Sequence, residues 1–266
     1  MGDFKFHVHR AYDKYISGDL IRDNIWEPFE TEVFRRLCKP GDFVVDIGAN
    51  IGWYSVIASR LLGSSGRVLS IEPDSSNLQL LRTNLALSGG MAQSDIMNAA
   101  LGDLETESRL YLSENNLGDH RLFDDGKPRD SITVHVQTLD NLFTGNSPKP
   151  TLIKSDTQGS EAKILRGAKR LLAEEWRPVL ILEFWPFGLT NSGDDPILLW
   201  EELSSLGYDM YEVSEDAKKL IGLSGDEIRM RVTDDLSPDS QRFLNLLCLP
   251  MKSERYKDLK DLIGKE

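Results

Sequence analysis

The chain has 266 residues, of which 40% are hydrophobic, which is enough for one large α/β domain with a substantial core. Its 31 basic residues against 43 acidic residues give a formal net charge of -12. This charge disfavours sequence-independent binding to nucleic-acid backbones or anionic lipids, so we expect no nucleic-acid and no membrane partner. No apolar secretion segment begins the chain, and the most apolar run, 178–184, is far shorter than the ~20 residues of a membrane span. We therefore predict a cytoplasmic protein.

Segments with helical spacing of apolar residues alternate with short, strand-like apolar runs along most of the chain. Residues such as Pro40, Gly63 and Gly89 separate the two kinds of segment. In chain order the pattern predicts a helix over 26–38, a strand 43–47, a helix 53–62, a strand 67–71, a helix 75–87, strands 95–99, 108–112, 131–137 and 151–155, a helix 161–175, a strand 179–184, a helix 196–206, and strands 208–213 and 243–249.

The alternation of strand and helix from residue 41 onward predicts a Rossmann-like, doubly wound α/β fold with a mainly parallel sheet. Residues 132–137 alternate apolar and polar side chains with period two, which predicts a small antiparallel insertion with 108–112. Between these strands, the polar loop 113–121 is typical of a loop that overhangs a site. We expect one domain over 1–266, made of a helical segment 1–40, a core sheet 41–250 and a charged, solvated helical tail 251–266.

The stretch from Val44 to Ser55 is the most informative part of the chain, because a buried strand leads into a small-residue turn and then a helix. Asp46 ends the strand, while Gly48 and Gly52 lack the Cβ atoms that would keep a ligand away from the backbone. The following helix presents its free N–H groups to that ligand. This pattern is typical of a nucleotide site.

Glu72 ends the second strand 26 positions after Asp46, where a carboxylate accepts hydrogen bonds from the two ribose hydroxyls of a nucleoside. This spacing also suits a nicotinamide dinucleotide, but the turn lacks the first glycine pair of the G-x-G-x-x-G fingerprint. Asp46 would repel a pyrophosphate and attract the ammonium and sulfonium groups of S-adenosylmethionine. The pattern favours that cofactor, with a nicotinamide-dependent oxidoreductase and a non-catalytic adenosyl-binding module as alternatives.

Several spaced motifs also resemble a known family over roughly residues 26 to 185. The stretch Gly41–Gly52, together with 71–73, resembles class I S-adenosylmethionine-dependent methyltransferases. The motifs that resemble the more specific FkbM methyltransferase family are 26–30 (WEPFE), 152–161 (LIKSDTQGSE), 165–168 (LRGA) and 181–183 (ILE). Ser155 and Thr157 depart from the bulkier apolar residues that are usual in this family, which affects the pocket beside Asp156 rather than the fold.

The resemblance implies a seven-stranded sheet and methyl transfer to a hydroxyl oxygen of a natural product, sugar or lipid. Because a neutral aliphatic hydroxyl is a poor nucleophile, a general base would help. Asp156, at the end of the fourth parallel strand, is the first candidate base, and its alternative role is to stabilise the N-terminus of the next helix. His120 is the second candidate, or else a solvated loop histidine. Glu183, which ends the fifth strand, would orient an acceptor hydroxyl or bind a backbone amide.

The turn after the third strand completes the expected cofactor site. Asn98 and Ala99 lie there at the position that would meet an adenine ring, unless they only pack the turn. The expected cofactor-binding residues are Asp46, Gly48, Ala49, Asn50, Gly52, Tyr54, Ser55, Glu72, Pro73, Asn98, Ala99 and Asp156.

The acceptor is a small molecule by this reasoning, but no motif names it. Arg121, Lys127 and Arg129 would meet an anionic acceptor or else be solvated loop charges. Because no D-x-D motif or histidine cluster is present, we expect no metal. Cys38 and Cys248 are far apart in sequence and are expected to be reduced, buried thiols.

Overall fold

A computed structural model describes residues 5–9, 13–145, 147–174 and 176–264. Parts of the predicted N-terminal segment 1–40 therefore lie outside the described residues. The strands are β1 (Phe43–Ile47), β2 (Arg67–Ile71), β3 (Gln93–Met97), β4 (Ala100–Leu101), β5 (Thr106–Tyr111), β6 (Ser131–Gln137), β7 (Leu152–Ser155), β8 (Val179–Phe184), β9 (Tyr208–Ser214), β10 (Lys219–Gly222) and β11 (Leu244–Pro250).

The main sheet has the strand order β10-β9-β11-β8-β7-β1-β2-β3. Strands β3, β2, β1, β7 and β8 pair in parallel, whereas β11 pairs antiparallel with both β8 and β9. The chain leaves β1 toward β2 on one side, and β7 then begins the series on the other side. This confirms the doubly wound α/β fold, in which ligands bind where the strand order reverses, here between β1 and β7.

The sheet contains eight strands within the described residues rather than the seven that the resemblance implied. The additional strand, β10, pairs antiparallel with β9 at the edge of the sheet. The turn that joins them contains Lys218 at a φ of 51°. A four-residue edge strand carries too little periodicity to be predicted from the sequence.

The predicted insertion is confirmed as a second, three-stranded sheet. Strands β5 and β6 pair antiparallel along six residue pairs, from Thr106 with Val136 to Tyr111 with Ser131. Strand β4 adds to β6 in parallel. A small apolar cluster, which includes Leu110 and Val134, packs one face of this sheet.

Helices cover both faces of the main sheet, and the predicted helices 26–38, 53–62, 75–87 and 196–206 are present to within two residues at each end. No helix among the described residues is long and apolar enough to cross a membrane. The helices are α1 (Ile16–Asp23), α2 (Pro28–Leu37), α3 (Trp53–Leu61), α4 (Ser75–Leu87), α5 (Leu139–Leu142), α6 (Glu161–Arg166), α7 (Lys169–Ala173), α8 (Pro186–Asn191), α9 (Pro196–Ser205), α10 (Gly225–Thr233) and α11 (Tyr256–Leu259).

The predicted helix 161–175 is in fact two short helices, α6 and α7, and its last residue lies outside the described part of the chain. The break lies at Gly167, whose carbonyl oxygen accepts a hydrogen bond from the amide of Asp140. A Cβ on Gly167 would lie 2.0 Å from the carbonyl oxygen of Gly102. The chain therefore breaks where it packs directly against the backbone that leads into the insertion.

The prediction of a solvated helical tail over 251–266 is wrong for the described residues. Only α11 is α-helical in this segment, and its Leu259 is fully buried. Arg36 on α2 forms an ion pair of 2.7 Å with Asp261. Ile263 forms a β-bridge with Leu220. The tail thus packs against α2 and β10, with Leu259 buried and Leu262 and Ile263 partly buried despite its overall charge.

The two faces of β1 divide the core and position the first site residue. Phe43, Val45 and Ile47 belong to the apolar cluster on the side of α6 and α9. Val44 belongs to the cluster on the side of α2 and α3. Because side chains alternate along a strand, Asp46 points to the α2 side, where it is 2% exposed.

Candidate active site

A cleft at the carboxyl ends of the parallel strands has two lobes that share Ile16, Gly48, Asn50 and Asp156. The larger, here called the β2 lobe, holds about 600 Å³, and the smaller, the β7 lobe, holds about 340 Å³. The β2 lobe is lined further by Ile47, Ile71, Glu72, Pro73, Asn77, Ala99, Ala100, Leu101, Leu110, Leu117, Gly118, His120, Leu122, Thr157 and Ser160. The β7 lobe is lined further by Trp26, Asp46, Ala49, Ile51, Trp53, Tyr54 and Lys154.

The glycines of the turn after β1 make room for protein atoms. Gly48 has a φ of 74°, and a Cβ there would lie 2.0 Å from the carbonyl oxygen of Asp156. Gly52 has a φ of 92°, and its Cβ would lie 2.5 Å from Cδ1 of Leu81. Gly48 lines both lobes, but Gly52 is not among their described lining residues. The expected close approach of a ligand thus applies to Gly48, while Gly52 allows α4 to pack against the turn.

Asp46 is held by a chain of buried hydroxyls. Its Oδ2 accepts a hydrogen bond of 2.6 Å from Oγ of Ser55, which in turn accepts one of 2.7 Å from Ser70. Burial raises the pKa of the Asp46 carboxyl, while the Ser55 hydrogen bond and the Lys154 charge oppose this rise. Ser55 is fully buried behind Asp46. Its place in the site is therefore to orient Asp46.

Glu72 lies where a ribose acceptor was expected. Its Oε2 accepts from the amide of Asn50 and its Oε1 from the amide of Asp74, both at 2.8 Å. Burial raises the pKa of this carboxyl to about 7. Since each carboxylate oxygen has two lone pairs, both oxygens retain the capacity to accept from a ligand. Pro73 lies beside Glu72 in the wall of the β2 lobe.

The turn after β3 contributes an apolar wall rather than a polar contact. Ala99 lines the β2 lobe, and Leu110 and Leu122 of the insertion line it as well. The Asn98 amide instead donates to the carbonyl oxygens of Glu72 and Pro73, at 3.0 and 2.9 Å. Asn98 therefore holds the Glu72–Pro73 turn, and the wall of the β2 lobe at this position is apolar.

Asp156 lies at the junction of the two lobes, with its side chain 33% exposed. Its Oδ1 accepts a hydrogen bond of 2.9 Å from Nε2 of Gln158, which lies 3.0 Å from both oxygens of Glu183. Gln158 has a φ of 55°, and this backbone conformation turns its amide back toward Asp156. Gln158 is a site residue that the sequence reasoning missed.

Glu161, and not Asp156, accepts hydrogen bonds from the backbone amides that precede α6. Oε1 of Glu161 accepts from the amide of Thr157 at 2.9 Å, and its Oε2 accepts from the amide of Gly159 at 3.0 Å. Burial raises the pKa of Glu161 to about 7. Glu161 closes the loop that precedes α6, and the Asp156 carboxylate faces the cleft.

His120 lies in the β2 lobe on the loop that overhangs it. Its Nδ1 accepts a hydrogen bond of 3.0 Å from the amide of Ser113, so the proton of the neutral ring is assigned to Nε2. Burial lowers the pKa of the His120 ring. In this tautomer Nε2 is a donor, which suits a ligand acceptor atom better than the role of a general base.

The overhanging loop is tied to the cofactor side of the cleft. The carbonyl oxygen of Leu117 accepts from the side-chain amides of Asn50 at 2.9 Å and of Asn77 at 3.2 Å. The amide of Lys14 donates to the carbonyl oxygen of Asn115 at 3.2 Å. The expectation that this loop covers the site is therefore consistent with its position.

Glu183 is 6% exposed and reaches the site through Gln158. Burial and the nearby charges of Asp156 and Glu161 raise its pKa well above the ordinary value. Its oxygens contact the Gln158 side chain instead of the backbone amide that the sequence suggested. In this arrangement Glu183 contacts Gln158, which in turn donates a hydrogen bond to the Asp156 carboxylate.

The polar group of the β7 lobe that the sequence did not reveal is Lys154, which is 3% exposed. Its ammonium lies near Glu30 of α2 and 4.5 Å from the ring centroid of Tyr54. The Tyr54 hydroxyl donates to Glu27 at 2.9 Å. Two features of the sequence could have indicated this ion pair. One is a lysine within an apolar strand, and the other is a glutamate on the apolar side of α2.

The basic residues of the loop do not stand free for an anionic acceptor. Arg129 pairs with Asp119 at 2.7 Å, and Arg121 pairs with Asp119 and with Asp125, the latter at 3.1 Å. Both arginine side chains are largely buried, so the expectation of solvated charges is wrong for them. Lys127 is the exposed member of the three.

The sequence predictions also concern potential metal ligands and the two cysteines, and the structure describes both. Within the described ranges, no three His, Cys, Asp or Glu side chains are grouped as metal ligands. Cys38 and Cys248 are both free and buried, and burial raises the pKa of each thiol.

The strand order, the switch-point cleft and the carboxylate at the end of β2 define a class I, Rossmann-like methyltransferase. Residues 46–210 match the family described as the methyltransferase FkbM domain, which is more than half of the chain. The chain therefore belongs to the FkbM methyltransferase family, and its cofactor is S-adenosylmethionine. The alternative of a nicotinamide-dependent oxidoreductase is thereby overturned.

Named relatives share only parts of their length with this chain. The hexuronic acid methyltransferase AglP of Haloferax volcanii is 26% identical over 149 residues, which is 54% of this chain and 58% of the relative. The ribosomal RNA large subunit methyltransferase E of Pseudomonas fluorescens is 35% identical over 71 residues, 26% of this chain and 34% of the relative. The solved O-methyltransferase from Bacillus cereus in complex with SAH is 13% identical, with a TM-score of 0.44 over 90% of this chain and 82% of the other.

Proposed function

We propose that this protein transfers the methyl group of S-adenosylmethionine to a hydroxyl oxygen of a small-molecule acceptor, most suitably a sugar. The observation that carries the proposal is the position of Asp156. Its carboxylate lies at the junction of the two lobes, is partly exposed, and has one oxygen held by Gln158. A fixed carboxylate at this junction is suited to accept a proton from an acceptor hydroxyl.

The β2 lobe fits the nucleoside part of the cofactor. Glu72 offers two carboxylate oxygens to the ribose hydroxyls, and Ala99, Leu110 and Leu122 form an apolar slot for the base. Gly48 and Asn50 then lead to the β7 lobe, where Asp46 would attract the ammonium group. When bound, S-adenosylmethionine supplies a methyl group activated by a positively charged sulfur.

The β7 lobe supplies the groups that act on the acceptor. Asp156 orients the hydroxyl and accepts its proton as the oxygen becomes methylated, while Gln158 keeps the carboxylate directed at the cleft. Trp26 adds an aromatic surface in the same lobe, on which a sugar ring can pack.

The charges in the β7 lobe favour a hydroxyl over a carboxylate as the methylated group. Asp46, Asp156 and Lys154 line this lobe, and because the Lys154 ammonium is already paired with Glu30, an acceptor carboxylate placed between the two aspartates would be repelled. The relative from Haloferax volcanii acts on a hexuronic acid, which carries both kinds of oxygen. We therefore propose a sugar hydroxyl, and regard the carboxylate of a sugar acid as the competing acceptor.

The test is transfer of a labelled methyl group to a panel of glucuronic acid, neutral hexoses and a ribosomal RNA fragment. We expect label in a sugar product that survives mild alkali, because methyl ethers resist the hydrolysis that removes methyl esters. An alkali-labile product would assign the carboxylate instead, and label in RNA would contradict the small-molecule acceptor. Binding of the demethylated product, S-adenosylhomocysteine, without transfer to any of these would favour the non-catalytic adenosyl-binding module.

A further inference from the structure

Lys154 is a buried lysine whose ammonium lies between two carboxylates. Nζ is 3.1 Å from Oε1 of Glu30 and 3.7 Å from Oδ2 of Asp156. The side chains of Lys154 and Glu30 are 4% and 0% exposed. Such burial is costly for either charge alone, so the ion pair is what makes both tolerable.

The fold dictates why this ammonium meets the candidate base. Lys154 and Asp156 are two positions apart at the end of β7, so their side chains leave the strand on the same side. Lys154 is also the register partner of Asp46 on β1. The N-terminal turn of α2 covers this edge of the sheet and brings Glu30 onto it.

Lys154 is the only cation within ion-pair distance of Glu30 among the described residues. The charge of Glu30 is therefore balanced by the Lys154 ammonium, which is closer to Glu30 than to Asp156. The two carboxylates share one cation.

Other titratable groups face the same ammonium or the Asp156 carboxylate. Burial and the charges of Glu30 and Asp156 raise the pKa of Glu27 to about 8, against the opposing charge of Lys154. Together these groups form a strongly acidic surrounding for Asp156, in which Lys154 supplies positive charge. They are Asp46 on β1, Glu27 and Glu30 at α2, Tyr54 on α3, Glu161 on α6 and Glu183 on β8.

We infer that Lys154 is a positioning residue that holds the Asp156 carboxylate in place for the transfer, and that Glu30 competes with Asp156 for the Lys154 ammonium. The inference rests on the proposed function, because it concerns the base of that reaction. Lys154 thus holds Oδ2 while Gln158 holds Oδ1.

The two partners should act on Asp156 in opposite directions. Lys154→Met removes the cation and leaves the surrounding carboxylates, so the acid limb of the pH–rate profile of methyl transfer should move to higher pH. Glu30→Gln removes a competing anion and leaves the cation to Asp156, so the acid limb should move to lower pH. In the double variant the two effects oppose each other, and the profile should return toward that of the wild type.

The experiment measures the single-turnover rate of methyl transfer by the full chain as a function of pH, with the sugar that accepts label. We expect the acid limb to move by about one pH unit in each single variant, because charges within a few ångströms have effects of that size. Lys39→Met is the control, since Lys39 precedes the start of β1 and forms an ion pair of 2.8 Å with Asp258.

Unmoved pH–rate profiles in both single variants, or shifts of the same sign, would overturn the inference, because a purely structural role does not produce opposite shifts. If Lys154→Met does not fold, Glu30→Gln decides alone: a move of the acid limb to lower pH supports the inference and no change overturns it. Failure of the proposed function appears differently, as full methyl transfer by Asp156→Asn. An inactive Asp156→Asn with unmoved profiles in the other variants would remove the inference alone.

Discussion

Glu72 and Asp156 differ in how far apart in sequence the groups that hold them lie. Glu72 is fixed by the amide of its near neighbour Asp74 and by the turn after β1. Around Asp156, Lys154 meets Glu30 from α2, and Glu183 from β8 reaches Asp156 through Gln158. The surroundings of Glu72, the proposed cofactor half, are thus held by nearby turns, whereas the surroundings of Asp156, the proposed acceptor half, come from distant elements.

Asp156→Asn should have the largest effect and should confine it to the acceptor half. Loss of a general base should reduce the rate of methyl transfer about 10²–10⁴-fold, measured in single turnover with the sugar that accepts label. Asp95→Asn, at an exposed position on β3, is the matched control and should transfer at the wild-type rate. A rate within tenfold of the wild type would remove Asp156 as the base.

Gly48→Ala should disrupt both lobes, because Gly48 lines each of them and lies directly against the backbone of Asp156. The left-handed φ and the 2.0 Å approach to the Asp156 carbonyl should together cost about 2–5 kcal/mol in the free energy of unfolding, measured by urea denaturation. Gly63→Ala has a similar φ of 68° with nothing within 4 Å of the added Cβ. This control should cost about 1–2 kcal/mol, and equal costs for the two variants would contradict the contact.

The pH dependence of S-adenosylhomocysteine binding should report on Glu72 in the cofactor half. Its pKa of about 7 means that the carboxylate is increasingly protonated below that pH, so affinity should fall by up to about tenfold per pH unit there and level off above it. Calorimetry on both sides of pH 7 measures this. Glu72→Gln should lose the dependence, and a wild type with flat affinity would contradict a ribose role for the ionised form.

The same shift has the opposite consequence for stability. Because the native pKa lies above the ordinary value of 4.5, the folded protein holds the Glu72 proton more tightly than the unfolded chain does. The free energy of unfolding should therefore fall as the pH rises from about 4.5 to about 7, relative to Glu72→Gln. A wild-type free energy of unfolding that rises with pH relative to that of Glu72→Gln would contradict this prediction.

Asn50→Gly should have the smallest effect, limited to the loop that overhangs the cleft. Glycine accepts the φ of 49° at this position but removes the hydrogen bond to the Leu117 carbonyl. Amide hydrogen exchange in 115–120 should accelerate about fivefold, equal to about 1 kcal/mol. Asn191→Gly, which removes a similar bond to Phe187 on α8, should leave the loop unchanged. Unchanged exchange in both variants would show that Asn50 does not hold the loop.

The sequence predicted most of the fold because its strands and helices are short, regular and well separated by turn residues. It also predicted Asp46, Glu72 and Asp156 as polar residues at strand ends, and these do line the cleft. Local pattern is enough for such residues, since the carboxyl ends of parallel strands meet at one edge of the sheet.

The residues that the sequence did not reveal depend on tertiary contacts. Glu30 and Lys154 are 124 positions apart in the sequence, and only the packing of α2 on the sheet brings them together. Gln158 faces Asp156 because of a positive φ that the sequence pattern does not show. The ion pairs of Arg121 and Arg129 depend in the same way on how the loop folds over Asp119.

The central claim is that Glu72 serves the cofactor and Asp156 serves the transfer, and calorimetry with S-adenosylhomocysteine tests it most directly. This ligand carries no sulfonium charge, so the loss of the Asp156 charge should change its affinity less than about threefold at pH 8. Glu72→Gln should weaken binding about 10–100-fold, because a buried, charge-assisted acceptor is lost. Equal losses in the two variants, or wild-type affinity in Glu72→Gln, would contradict the division.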